Sequence, residues 1–154
     1  MKQASLTRLS AGELFENIRA VLEEGYDASF TVTGNSMWPT LASGRDRVVL
    51  RRTDAPLKKG QIVLFMPAPG QYVLHRVYRV RKEKFYTCGD GNCFRDGGFS
   101  PETVLAVAVR LERKSRKIAC NTVRFWLYSR VWLGLYFMRP WLLKRLRKLA
   151  QSRK

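Results

Sequence analysis

The spacing of apolar residues near the start of the chain is helical. Apolar side chains recur there every three or four residues, which predicts a helix over residues 11–24 that packs one face against a core. Ser10 precedes this stretch as a candidate N-cap, and Gly25 follows it as a natural stop. The apolar face of the predicted helix comprises Leu14, Ile18, Val21 and Leu22.

After residue 27 the pattern changes to alternating positions and short apolar runs, which are typical of β-strands. Glycine- and proline-containing turns separate the runs, and many short strands favour a mainly β fold, either a small barrel or a folded sheet. Residues 89–98 are expected to form a glycine-rich polar loop. Strands are predicted around residues 30–32, 48–50, 62–65, 72–80, 84–88 and 104–111, the last being the expected final strand.

Residues 123–143 form a nearly continuous apolar and aromatic stretch of a different kind. Arg124, Arg130 and Arg139 interrupt it, so it is a poor membrane span, and these arginines do not gather on one helical face. Aromatic residues mixed with arginines suit a membrane interface, where the basic run 144–148 would meet anionic headgroups. The alternative is a hydrophobic helix docked on a partner protein or on this domain.

Charge is distributed unevenly over the 154 residues, which are enough for one domain with a core. The chain has 29 Lys and Arg against 12 Asp and Glu, a net charge of +17. Residues 113–154 hold 13 basic residues and no acidic ones, so this segment should seek anionic lipid or nucleic acid. We therefore divide the chain into an N-terminal helix (1–25), a β-rich core (26–112) and a basic hydrophobic C-terminal segment (113–154).

The cysteines do not indicate a disulfide framework, because there are three of them, Cys88, Cys93 and Cys120. A metal site at Cys88 and Cys93 is also not expected, since the chain has one histidine and no second cysteine pair. We expect no metal and no cofactor. Residues 1–25 contain no sustained apolar run, so no signal peptide is expected there.

The candidate chemistry is a serine nucleophile with a histidine base. Ser36 lies in a Gly-Asn turn before a proline, and His75 lies in a predicted strand. A serine hydroxyl needs a base with a pKa near neutrality, and His75 is the only histidine in the chain. The base in turn needs an orienting acceptor, for which the loop offers Asp90 and Asp96.

Four short motifs stand in the order in which type I signal peptidases carry them, and together they span about residues 30–110. Residues 34–41, Gly-Asn-Ser-Met-Trp-Pro-Thr-Leu, resemble the serine box of that family. Residues 57–65 are similar to its Lys-Gly-Asp-Ile-Val-Val-Phe strand, although Gln61 replaces the aspartate. Residues 74–77 resemble its His-Arg-Val box, and residues 89–96 its Gly-Asp-x-Asn box with a following aspartate. The resemblance implies a signal-peptidase-like core, of the type shared with self-cleaving repressors.

The resemblance also implies a role for each motif residue. The endoplasmic-reticulum, archaeal and sporulation-type branch uses histidine where bacterial housekeeping enzymes use lysine, so His75 places the chain with that branch. Ser36 is then the nucleophile and His75 the general base. Asp96 aligns with the orienting aspartate, and Asp90 is a loop-shaping or auxiliary acid.

Substrate binding is implied by the same resemblance. The Ser36 N–H would donate to the oxyanion, and backbone before Ser36 and around Tyr72 and Leu74 would pair with an extended peptide. Gly34 stands where many relatives carry a hydroxyl that assists the oxyanion, and the loss of such a donor costs about a hundredfold or more in rate. Asn35 is the candidate replacement.

The favoured function is a serine endopeptidase that cleaves a precursor or leader peptide through an acyl-enzyme. Residues 123–148 are expected to replace the N-terminal anchor usual in the family, and to bind an anionic membrane surface or a membrane protein. A peripheral or monotopic membrane location follows, with a cytoplasmic one as the alternative.

Two other functions stay open. A non-catalytic membrane- or partner-binding module derived from a peptidase core would explain Gly34 and the missing anchor. A nucleic-acid contact would explain the basic segment, but its tryptophans and long aliphatic runs suit lipid better than phosphate.

Overall fold

The computed structural model describes residues 11–152, and its first element is a helix. Helix α1 spans Ala11–Glu23 and is followed by Gly25, whose φ of +86° is the left-handed conformation that terminates many helices. Ile18 and Leu22 are buried against the sheet, as the helical spacing predicts. The predicted N-cap, Ser10, lies outside the described residues.

The core of residues 11–152 is one sheet of eight strands, in which every pairing is antiparallel. Seven strands follow the order β1-β2-β7-β3-β4-β5-β6, and β8 pairs with β7. The prediction of a mainly β fold with a helix before and after the strands is confirmed. The strands are β1 Ala28–Thr31, β2 Asp46–Arg51, β3 Ile62–Phe65, β4 Val73–Arg81, β5 Lys84–Cys88, β6 Asp96–Phe99, β7 Val104–Arg113 and β8 Arg116–Ala119.

Strand β3 lies in the middle of this sheet, and all four of its residues are buried. Ile62 and Leu64 belong to the larger apolar cluster, which includes α1, whereas Val63 and Phe65 belong to a second cluster on the other face. Burial on both faces explains why β3 is a continuous apolar run and does not alternate.

Two predictions about the strands are wrong. Residues 89–98 are not all loop, because Asp96–Phe99 forms β6 and pairs with β5. Glycines are poor strand formers, and Gly97 is accepted because its lack of a side chain lets the Tyr86 ring pack on it. The strand after residue 104 is also not the last, since β7 turns into β8 at Arg116–Ala119, a short and largely exposed edge strand.

The C-terminal segment includes β8 and continues as two helices that partly cover the sheet. Helix α2 spans Val123–Gly134, a 3₁₀ turn spans Leu135–Met138, and helix α3 spans Arg139–Gln151. One face of α2 is buried on the domain, and the opposite face exposes further apolar residues, so the helix has no single polar side. None of the helices within residues 11–152 is long and apolar enough to cross a membrane. The buried side chains of the segment are Phe125, Ser129, Trp132, Arg139 and Leu143.

Candidate functional site

Ser36 lies on a compact turn between β1 and β2. Gly34 enters this turn with a φ of +84°, which glycine adopts without strain. Met37 and Leu41 anchor the turn because their side chains are buried in the larger apolar cluster, and Leu41 N–H donates to the Met37 carbonyl at 2.8 Å. The Ser36 side chain stays partly exposed at the top of this anchored turn.

His75 and Asp96 form a hydrogen-bonded pair. His75 lies in β4 and Asp96 begins β6, and β5 connects the two because Thr87 is paired with Asp96 and also with Val77. His75 Nδ1 is 3.0 Å from Asp96 Oδ2. Burial lowers the pKa of His75 below its ordinary value, although the Asp96 carboxylate acts in the opposite direction. The imidazole is therefore neutral at pH 7, the form that can accept a proton.

The loop from Gly89 to Asn92 packs directly on the serine turn. Gly91 N–H donates to the Ser36 carbonyl at 2.7 Å. A side chain on either loop glycine would collide with the turn, since a Cβ on Gly89 would lie 2.5 Å from the Ser36 carbonyl oxygen and one on Gly91 would lie 2.5 Å from the Asn35 carbonyl oxygen. Both glycines are thus needed for the loop and the turn to approach each other.

Asp90, which lies between these glycines, forms a buried ion pair with Arg76. Both side chains are 0% exposed. The guanidinium binds the carboxylate through two nitrogens, with Nε 2.9 Å from Oδ1 and Nη2 2.6 Å from Oδ2. Thr40, at the end of the serine turn, donates its hydroxyl to the same carboxylate. The pair therefore connects strand β4, the loop and the turn.

The same arginine connects the site to the C-terminal segment. Arg76 Nη1 donates to Ser129 Oγ at 2.6 Å and to the Gly60 carbonyl at 2.9 Å. Tyr128 places its hydroxyl 2.6 Å from Thr40 Oγ1. Helix α2 is consequently a structural part of the site, and not only a surface element.

A second buried carboxylate holds the far end of the serine turn. Asp46 receives hydrogen bonds from Ala42 N–H, Arg45 and Arg113, and Arg113 also donates to the Thr40 carbonyl at 2.7 Å. Burial alone would raise the pKa of Asp46, but these hydrogen bonds outweigh it and lower the pKa to about 2. The carboxylate stays charged at neutral pH, and the turn is held at both ends.

Arg139, at the start of α3, holds the loop from the other side. Its side chain is buried, and Nη1 lies 2.8 Å from Cys88 Sγ and 3.1 Å from the Gly89 carbonyl oxygen. It also donates to the Asn92 carbonyl at 3.2 Å. The C-terminal segment therefore holds the site through Tyr128 and Ser129 of α2 and through Arg139 of α3.

The structure separates the roles of the two candidate acids. Asp96 contacts the His75 ring, whereas Asp90 is occupied by Arg76 and Thr40. The third candidate, Ser36, makes no direct contact of this kind, because the hydrogen bonds within residues 11–152 include none between its hydroxyl and the His75 ring. Contacts between nucleophile and base are often long in the free state and shorten when substrate binds.

The predicted substrate-binding positions lie beside an open strand edge. On one side, β4 pairs with β3 along Val73–Arg76, but on the other side its pairing with β5 begins only at Arg76. Among the described residues, the backbone at positions 73–75 thus has no strand on that side. Leu74 lies on this edge with its side chain against the core, and Tyr72 precedes it and donates its hydroxyl to Glu16 of α1 at 2.7 Å.

The backbone around the predicted oxyanion site has a free donor. Within residues 11–152 no group accepts a hydrogen bond from the Ser36 N–H. Gly34 N–H donates to Ser43 Oγ at 3.2 Å, so a hydroxyl does lie beside Gly34, supplied by a residue later in the chain. Asn35 is exposed, and its carbonyl accepts from Trp38 N–H at 3.1 Å.

Sequence reasoning missed the buried charges that assemble the site. In the sequence, Arg76 stands out only as part of a motif and Arg139 only as an interruption of the apolar stretch, and neither Arg113 nor Asp46 stands out. A usable signal exists for Arg76, because an arginine in the middle of a strand of the core needs a buried partner of opposite charge. Within residues 11–152 no group of three or more His, Cys, Asp or Glu side chains is arranged to hold a metal ion.

Comparisons of the chain with protein-family models and with curated proteins gave no match. The function of the site is therefore inferred from its residues, its motifs and its geometry.

Replacing Arg76 tests whether the buried ion pair holds the site together. We expect Arg76→Met to lower the free energy of unfolding by about 3–5 kcal/mol, because Asp90 is left buried and unpaired. Arg76→Met combined with Asp90→Leu should recover part of this loss, since no uncompensated charge remains. Denaturant unfolding followed by circular dichroism measures both.

The matched control is Arg79→Met in the same strand, where the side chain is exposed. Its effect should stay within about 0.5 kcal/mol. Equal stability of the Arg76 and Arg79 variants would contradict the proposed importance of the pair.

Proposed function

We propose that the chain is a serine endopeptidase of the signal-peptidase-like type, in which Ser36 is the nucleophile and His75 the general base. The observation that carries the proposal is the hydrogen bond of 3.0 Å between His75 and Asp96. The loop that precedes Asp96, between β5 and β6, packs against the Ser36 turn. Activation of a serine hydroxyl requires a neutral, oriented imidazole, and the partly exposed Ser36 is the serine that we assign to it.

The mechanism follows from these positions. Ser36 Oγ attacks the peptide carbonyl while His75 accepts its proton, and the Ser36 N–H donates to the oxyanion that forms. His75 then gives the proton to the leaving amine, and a water molecule hydrolyses the acyl-enzyme with His75 again acting as base. Asp96 holds the ring in one tautomer and stabilises the transient imidazolium.

The open edge of β4 supports an extended peptide as the substrate. An incoming strand could hydrogen-bond to the backbone at positions 73–75, a stretch that includes His75 itself. A precursor or leader peptide presents such a segment, because it is unfolded around its cleavage point. A decayed, non-catalytic module would not need a free Ser36 N–H, and it would not need a neutral His75 paired with Asp96.

Labelling with a fluorophosphonate probe tests the nucleophile without knowledge of the substrate. We expect wild type to be labelled at Ser36 and Ser36→Ala not at all, with the site located by peptide mass spectrometry. His75→Gln should slow labelling about 10³-fold or more, because the hydroxyl loses its base.

Ser100→Ala is the matched control, since Ser100 is exposed and lies in the turn after β6. It should label at the wild-type rate. Absence of labelling of folded wild type at every pH would contradict the peptidase and favour the binding module.

The pH dependence of labelling tests the His75–Asp96 pair. Activity should fall as pH decreases through the pKa of His75, and this midpoint should lie below about 6.5 because burial lowers that pKa. Asp96 raises the pKa of His75, so Asp96→Asn should move the midpoint to lower pH and also reduce the plateau rate by up to about 10⁴-fold.

Asp54→Asn serves as the control, because Asp54 is an exposed aspartate outside the site. Its profile should overlay that of wild type. A midpoint that rises in Asp96→Asn would contradict the assigned pairing.

We further propose that this peptidase works at an anionic membrane surface, bound peripherally through residues 123–148. The outer face of α2, the following turn and the start of α3 expose large apolar side chains, of which Phe137 is 89% exposed. Basic residues surround this face, and residues 113–154 contain no acid that would repel anionic lipid. The exposed apolar residues of the face are Val123, Trp126, Leu127, Val131, Phe137, Met138 and Trp141.

Vesicle flotation tests the membrane proposal. Wild type should float with vesicles of phosphatidylcholine and phosphatidylserine, and less with phosphatidylcholine alone. The double variant Phe137→Ser with Trp141→Ser should weaken binding about tenfold or more, because two aromatic anchors are lost.

Tyr26→Ser provides the control, because Tyr26 is an exposed aromatic residue far along the chain from this face. It should float like wild type. A wild-type protein that stays unbound to anionic vesicles yet shifts DNA in a gel would overturn the membrane proposal in favour of nucleic acid.

A further inference from the structure

A groove lies between the serine turn and the last turns of helix α3. It has a volume of about 360 Å³ and opens to solvent. The turn contributes one wall, and α3 contributes the other. The lining residues are Asn35, Trp38, Arg147, Ala150 and Gln151.

This groove is adjacent to the proposed nucleophile. Asn35 immediately precedes Ser36 and Trp38 follows it by two residues, and the turn is tight because Trp38 N–H donates to the Asn35 carbonyl at 3.1 Å. Neighbouring residues of an extended peptide are only about 3.3 Å apart along its axis. A peptide whose carbonyl lies at Ser36 therefore brings a side chain from within a few residues of the scissile bond to this groove.

The groove carries one positive charge that no carboxylate within residues 11–152 neutralises. Arg147 lies over the Trp38 ring, with its guanidinium carbon 6.0 Å from the ring centroid. Among the ion pairs of the described residues none includes Arg147, and the groove lining contains no acidic residue. The two acids of the site, Asp90 and Asp96, are occupied by Arg76 and His75.

We propose that this groove is a substrate subsite for an acidic side chain, Asp or Glu, close to the cleaved bond. Arg147 binds the carboxylate, and the Trp38 ring holds the guanidinium in place and packs on the aliphatic part of the substrate. Arg147 is thus a specificity-determining residue in a helix distant in sequence from the catalytic motifs. The subsite proposal rests on the proposed peptidase function, because the acidic side chain belongs to the peptide that is cleaved. Binding of an acidic peptide to the groove can be measured separately from cleavage.

The test is an aspartate scan with fluorescent peptides and the full-length Ser36→Ala protein, which should bind without cleaving. Each alanine-based peptide carries a single Asp at a successive position, and an Asn peptide matches each one. At one or two adjacent positions we expect the Asp peptide to bind about three- to tenfold more tightly than its Asn match, measured by fluorescence anisotropy.

Charge-matched variants separate the groove from the general positive field of the segment. Arg147→Glu should abolish or reverse the preference for Asp, and Arg147→Gln should abolish it without reversal. Arg145→Glu changes the net charge by the same amount, but it lies two residues away on the opposite side of α3, over the Trp141 ring at 5.1 Å. It should retain the preference.

Three results would overturn the inference. They are equal binding of Asp and Asn peptides at every position, equal loss of the preference in both Glu variants, and no binding of any peptide up to about 1 mM. If only the proposed peptidase function were wrong, wild-type protein would not be labelled at Ser36. The preference for Asp peptides, and its loss in Arg147→Glu, would nevertheless persist.

Discussion

The ion pair between Arg76 and Asp90 places two opposite charges where water does not reach, and each charge is tolerated there only because of the other. Geometry makes this pair a constraint on the whole site. Arg76 belongs to the strand that carries His75, Asp90 to the loop that contacts the Ser36 carbonyl, and Thr40 to the end of the serine turn. Three segments that are distant in sequence must therefore adopt their positions together.

The two buried polar residues of strand β4, His75 and Arg76, have different partners because side chains alternate along the strand. His75 and Arg76 are consecutive, so their side chains point to opposite faces of the sheet. His75 meets Asp96 on one face, and Arg76 meets Asp90 on the other. The loop after β5 thus supplies Asp90 to one face and the first residue of β6 supplies Asp96 to the other, so the partner of His75 is separate from the partner of Arg76.

Local patterns predict most of the secondary structure and the candidate triad, but not what assembles it. The apolar run at Ile62–Phe65 and the motif around Ser36 are visible in sequence because spacing and residue type carry the information. Strand β6 is not predicted from the sequence because Asp96–Phe99 contains two glycines. It becomes a strand by pairing with β5 in the folded sheet. The sequence does not decide where α2 and α3 dock, since a helix with apolar residues on two faces can pack against a partner protein, a membrane or its own domain.

Arg139 has a consequence for how the protein matures. This side chain reaches back to the loop at Cys88 and Gly89, about fifty residues earlier in the chain. During synthesis the serine turn, the histidine strand and the loop all leave the ribosome before Arg139 does. The loop therefore lacks its buried cationic partner until Arg139 has emerged, so the contacts that hold the loop are completed only after the serine turn, the histidine strand and the loop itself have been synthesised.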